Sequence, residues 1–135
     1  MKQISVVVDS QIGKLADISF ILGKSKINIE SISMGEAAGK SIIHLTVKNY
    51  EKALELLKAN GYECYSSDVF LVKLKNSPGE LAKLTKLLEK EKINIENVTV
   101  INQDQENSLY SLKVDKAQKA EKILKAHNYL VEENI

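Results

Sequence analysis

Gly13-Lys14-Leu15-Ala16 and Gly79-Glu80-Leu81-Ala82 lie 66 residues apart, and so do Lys26-Ile27-Asn28-Ile29-Glu30 and Lys92-Ile93-Asn94-Ile95-Glu96. Two matches at one offset define an internal repeat, which decides architecture before any element is assigned. Beyond segments 35–40 and 102–107 the register slips by one, so that Val47, Ala53, Leu57 and Tyr62 match Val114, Ala120, Leu124 and Tyr129. The second copy is therefore expected to carry one extra loop residue. The repeat divides the 135-residue chain into two units, 1–67 and 68–135, joined near Ser66-Ser67-Asp68 with almost no linker.

Each unit shows the same order of periodicities. Ile4, Val6 and Val8 alternate along a first strand, as do Phe70, Val72 and Leu74. Leu15, Ile18 and Leu22, like Leu81, Leu84 and Leu88, recur at helical spacing. Ile27 and Ile29, with Ile93 and Ile95, are expected to begin second strands. A hairpin then returns the chain as Ile43-Leu45-Val47 or Tyr110-Leu112-Val114. Second helices are marked by Ala53, Leu54 and Leu57 and by Ala120, Ile123 and Leu124, and short final strands are expected at Tyr62-Cys64 and Tyr129-Val131. The order βαββαβ, twice, predicts an α+β fold of two tandem ferredoxin-like domains. Each would have an antiparallel four-stranded sheet with both helices on one face.

Composition excludes several functions. An apolar share of 44% suits a packed core, and no run reaches the roughly 18 to 20 apolar residues of a membrane span, so a cytoplasmic protein without a membrane partner is expected. All 19 basic residues are Lys, interleaved with 18 acidic ones. Without Arg forks or a basic face, nucleic acid is not an expected partner. The single Cys64 reads as a half-buried strand residue; no metal or other cofactor is expected. His44 and His127 have no nucleophile or acidic orienter near them in sequence, so no enzyme is expected. A ferredoxin-like metallochaperone would need paired cysteines, an RNA-binding module stacking aromatics, and an acylphosphatase an Arg.

The stretch Asn76-Ser77-Pro78-Gly79-Glu80 reads as a helix start, with Ser77 and Glu80 forming a capping box and Pro78 in the first turn. Gly79 lets another group approach the backbone, the helix N-terminus suits a carboxylate, and Asn94 offers an uncharged donor and acceptor. The whole chain resembles two tandem copies of the ACT domain, a small regulatory module that binds amino acids and controls metabolic enzymes. The resemblance is carried by the run from Asn76 to Ile95 (a polar residue, Pro-Gly, Leu-Ala, a helix, then Asn-Ile) and by its recurrence from Ser10 to Ile29.

The resemblance implies a small amino-acid ligand held at an interface between two such domains, by the loop after the first strand and the start of the second. By position it implies Asn76, Ser77, Gly79, Leu81 and Asn94 in the second copy. In the first copy it implies Ser10, Gln11, Gly13, Leu15 and Asn28, although Ile12 replaces Pro and Lys14 replaces the capping acid. Either Lys14 helps hold a ligand carboxylate, or this half serves as a packing partner, the reading we favour from sequence. The function expected is a non-catalytic sensor, a homodimer that regulates a metabolic enzyme in trans. The alternative is a ligand-free oligomerisation or interaction module.

Overall fold

A computed structural model describes residues 1–131. The chain forms two compact units, Lys2–Asp68 and the residues from Val69 onward together with Met1.

The first unit runs β1 (Lys2–Asp9), α1 (Lys14–Lys24), β2 (Ser31–Ala37), β3 (Lys40–Thr46), α2 (Tyr50–Ala59) and β4 (Glu63–Asp68). All neighbouring strands pair antiparallel, in the order β2-β3-β1-β4. Ile4 lies opposite Leu45, and Val6 lies opposite both Ile43 and Cys64, so these side chains share one face of the sheet. Ile18 and Leu22 of α1 and Ala53 and Leu57 of α2 close over that face and are fully buried. Removing each such Leu or Ile from water contributes roughly 1.5–3 kcal/mol, which is why the 3.6-residue and 2-residue periods fix these elements. Ala38 and Gly39 take φ of 53° and 76°, the left-handed pair that a tight two-residue hairpin requires between β2 and β3.

The second unit runs β5 (Phe70–Lys75), α3 (Glu80–Lys90), β6 (Ile95–Gln103), β7 (Asn107–Val114) and α4 (Ala117–Ala126). Its strands pair antiparallel in the order β5-β7-β6 around Val72, Leu74, Leu84, Leu88, Leu112 and Leu124. In place of a full fourth strand, Leu130 forms a single antiparallel bridge to Val72, flanked by N–H bonds from Lys73 to Tyr129 and from Val131 to Leu71, both 2.9 Å.

Three expectations are corrected. β2 begins at Ser31, not Ile27: Lys26 has φ 60° and the Ile27 N–H still bonds back to the Leu22 carbonyl, so Ile27 and Ile29 pack into the core while leaving the helix. The extra residue of the second copy is not in the hairpin. It sits in β6, where the register shifts between Val100 and Asn102, a bulge at Ile101. Pairing then resumes with Asn102 opposite Leu109 and reaches Gln103 opposite Ser108, as Glu36 lies opposite Ser41 in the first unit. Finally, α3 begins at Glu80 after a left-handed Gly79 (φ 87°) with no side-chain cap. Ser77 and Glu80 therefore form no capping box, and the Glu80 carboxylate instead meets Lys83 at 3.4 Å.

Among the described residues no helix is long and apolar enough to cross a membrane, and no cluster of three His, Cys, Asp or Glu could hold a metal. Cys64 is buried in β4, and burial pushes its thiol pKa up. His44, on the sheet face away from the helices, lies with Nδ1 2.9 Å from the Ser5 hydroxyl. His127 caps the end of α4 and stacks on Tyr129 with ring centroids 6.5 Å apart.

One side-chain contact ties α1 to the start of β4 and has a readable pH signature. The Tyr62 hydroxyl donates to the Asp17 carboxylate, and burial first, then that bond, pushes the phenol up to about 12. The folded chain thus holds this proton above the ordinary tyrosine pKa of about 10. The contribution is complete below pH about 10 and is lost as pH rises towards about 12, since the unfolded chain releases its proton first. A pH series of urea unfolding should show wild type losing more stability across that window than Tyr62→Phe; equal slopes would show that the bond is not made in solution.

Candidate functional site

The first copy's loop is built by a turn that only glycine makes cheaply. Gly13 has φ 95°, and its carbonyl accepts the first helical bond, from the Asp17 N–H at 2.9 Å. No side chain caps the N–H groups of Lys14, Leu15 and Ala16, so the positive end of α1 is left to another acceptor. The loop is held against the β2–β3 hairpin by the Ser10 N–H to the Gly39 carbonyl, 2.9 Å, and by the Ser10 and Ser41 hydroxyls, 3.0 Å apart.

Between loop and strand lies an open hollow of about 430 Å³. Ser10, Gln11, Gly13 and Leu15, four of the five residues expected from sequence, line it. Met34 and Glu36 of β2 and Ser41 of β3 complete it, and no sequence signal marked them. The signal that finds them is the hairpin pairing: Glu36 opposite Ser41 and Met34 opposite Ile43 put both side chains on the helix side of the edge strand. Asp9 at its rim is neutralised by Lys40 at 2.5 Å, and that bond holds its carboxyl below the usual range.

Asn28 is not in this hollow. It lines another, of about 350 Å³, with Lys26, Glu30, Lys48, Asn49 and Lys52. That hollow is at the far end of β2, whose seven residues at about 3.3 Å each span roughly 20 Å. A single copy therefore does not bring its loop and its Asn together.

The second copy repeats the separation. Asn94 lines a shallow hollow with Thr85, Glu89 and Lys92, and its N–H is held by the Asp115 carboxylate at 2.9 Å. Its loop, however, is tied. The Asn76 amide donates to the Asp104 carbonyl at 2.6 Å and accepts from Gln103 Nε2 at 2.9 Å, while the Asn76 N–H reaches the Glu106 carbonyl at 2.8 Å. The hairpin is itself tightened by Asp104, whose carboxylate accepts the Glu106 and Asn107 N–H groups, and these bonds lower its pKa. Ser77 lies in this clamped loop, where its carbonyl accepts the Glu80 N–H at 3.3 Å. Leu81 is partly exposed on the first turn of α3, as Leu15 is on that of α1, each at 37%.

The pattern of the ACT domain pair matches residues 1–135, the full length. The chain belongs to the ACT domain pair family. No curated protein matches it. Among solved structures, protein BT0572 from Bacteroides thetaiotaomicron is 26% identical, with a TM-score of 0.87 over 96% of this chain and 90% of that one. The ligand-free regulatory subunit of aspartate kinase from Thermus thermophilus is 23% identical, with a TM-score of 0.72 over 94% and 90%. The regulatory subunit from Thermus flavus is 20% identical, with a TM-score of 0.68 over 94% and 90%. At those identities the two kinase subunits share the fold. In ACT terms, the two tandem copies here share an element order but differ in their loops: open at Ser10 to Leu15, tied at Asn76.

Proposed function

We propose that this chain is a non-catalytic sensor whose ACT copies, 1–67 and 68–135, serve a small amino-acid ligand, and that the first loop hollow receives it. The observation that carries the reading is the uncapped start of α1 beside a hollow walled by both polar and apolar groups. Three free N–H groups and Lys14 suit a carboxylate, and Gly13 leaves open space where a Cβ would point.

The distance between loop and Asn28 favours a second copy of the chain as the partner. β2 is an edge strand, with Ile32 and Met34 exposed at 42% and 57% on its helix side. Two such edges pairing antiparallel, in a homodimer of two copies of the chain, would place the start of one β2 beside the end of the other. Asn28 of one chain then reaches the Ser10 loop hollow of its partner, and the site exists only in the dimer. A ligand shared by two chains favours the assembled state by its differential affinity, the condition for any regulatory effect. The output passes to another protein; a metabolic enzyme is the class supported by the family and by the regulatory subunits of aspartate kinase that share the fold.

Thermal unfolding against a panel of millimolar amino acids tests this. A native-state ligand at about 100 times its dissociation constant adds roughly 2.7 kcal/mol, several degrees for units of this size. A selective rise with one or two related amino acids is expected; a flat panel on folded protein would instead support a ligand-free interaction module.

A further inference from the structure

We infer that the first-copy hollow selects a net-neutral amino acid with an apolar side chain, and that Met34 is the residue that sets this selection; the inference rests on the amino-acid reading above.

The charges around the hollow come first. Asp9 is cancelled by Lys40. Lys14 and Glu36 remain, one of each sign, and neither has an ion-pair partner among the described residues. The Lys14 ammonium rests 5.9 Å from the centre of the Tyr62 ring, a weak exposed contact that it can exchange for a carboxylate. A zwitterion uses both groups, its carboxylate at Lys14 and the α1 N-terminus and its ammonium at Glu36. A third charge on the ligand would find in the hollow only Asp9, already bridged to Lys40, and would have to compete for it.

The remaining wall is apolar. Val8, Ile12, Leu15 and Met34 border the hollow, with Ile12 fully exposed and Met34 more than half exposed. Val8 is already buried, but Ile12, Leu15 and Met34 are exposed until something covers them, and an aliphatic ligand side chain does so at roughly 25 cal/mol per Å². Met34 stands on the strand that forms this wall, and its unbranched thioether adapts to ligands of different shape.

The second copy keeps the uncapped helix start and the exposed Leu81 but not the groups that would select. Glu80 stands for Lys14 and is paired with Lys83. Gln103 stands for Glu36 and is bonded to Asn76, Pro78 stands for Ile12, and the shorter Val100 stands for Met34. The selection therefore belongs to the first copy alone.

The test is calorimetric titration of the full chain with L-leucine, L-methionine, L-lysine and L-glutamate. Wild type should bind leucine or methionine at least about tenfold more tightly than lysine or glutamate, the scale of discrimination an apolar pocket achieves. Met34→Glu should weaken leucine about tenfold or more and narrow or reverse the gap to lysine. Met34 is exposed on an edge strand, so the variant should fold; because β2 is also the edge proposed to pair, the effect counts only if sedimentation shows the variant with the wild-type oligomeric state, and Met34→Gln gives the same readout with no charge added to that seam. Val100→Glu, the matching change in the second copy, should leave leucine binding within about twofold. Tighter binding of lysine or glutamate to wild type, or a leucine affinity unmoved by both Met34 variants, would overturn the inference and leave the sensor reading standing. No binding of any proteinogenic amino acid would overturn the sensor reading and the inference together.

Discussion

Asn28→Ala is expected to abolish the ligand-induced thermal shift while leaving the unliganded chain within about 1 kcal/mol of wild type, the usual cost of one modest hydrogen bond. Asn28 lines its own hollow and lies about the length of β2 from the loop of its own copy, so the substitution touches no core side chain. Its partner variant is Lys14→Glu, which puts a negative charge beside the expected ligand carboxylate at the helix start. Each variant alone should be silent to ligand. Mixed and allowed to exchange subunits, they should recover response, because one site of each heterodimer then combines an intact loop with an intact Asn28. In an equimolar mixture about half of the dimers are heterodimers with one intact site each, so recovery of about a quarter of the wild-type sites is expected. A silent mixture with exchange demonstrated would place both residues of each site in the same chain, and an unchanged affinity in Asn28→Ala alone would remove this residue from the site.

Leu88→Ala is the substitution with the largest expected effect on stability, a loss of about 2–5 kcal/mol measured by urea unfolding. Leu88 is fully buried at the centre of the second unit's core, where α3 packs with Leu84, Leu112 and Leu124. A unit of under 70 residues buries a modest core, so a loss of this size takes most of its margin. Leu81→Ala, two turns earlier on the same face but 37% exposed, should cost far less. Equal losses at the two positions would show that α3 does not pack as described.

The repeat made the architecture readable from sequence because its signals are local and doubled. Ile18 and Leu22, or Leu84 and Leu88, carry a helical period that has a single burial solution over the sheet, and the structure buries all four. The details that sequence missed depend on distant groups. The true helix start depends on the left-handed φ of Gly79, which removes Ser77 from capping distance. The position of the extra residue depends on how β6 pairs with β7, which favours a bulge at Ile101 over a longer hairpin. The candidate site was legible as residue types but not as a geometry. Ser10, Gln11, Gly13 and Leu15 do gather around one hollow, whereas Asn28 lies a strand's length away and Asn76 spends its amide on Asp104 and Gln103. Linear order cannot report that the two ends of one short strand belong to two different cavities.

The span of β2 between the Ser10 loop and Asn28 also governs how such a sensor would respond to its own abundance. A receptor whose pocket lies within one chain has a dose–response curve that is indifferent to copy number. In the dimer proposed above, half of the pocket would arrive by a bimolecular encounter, so sensing would be second order in the chain. Diluting the protein below its self-association constant would shift the response to higher ligand without a change in any residue, and raising expression would sharpen it. Copy number would thereby become a second input to the same pocket.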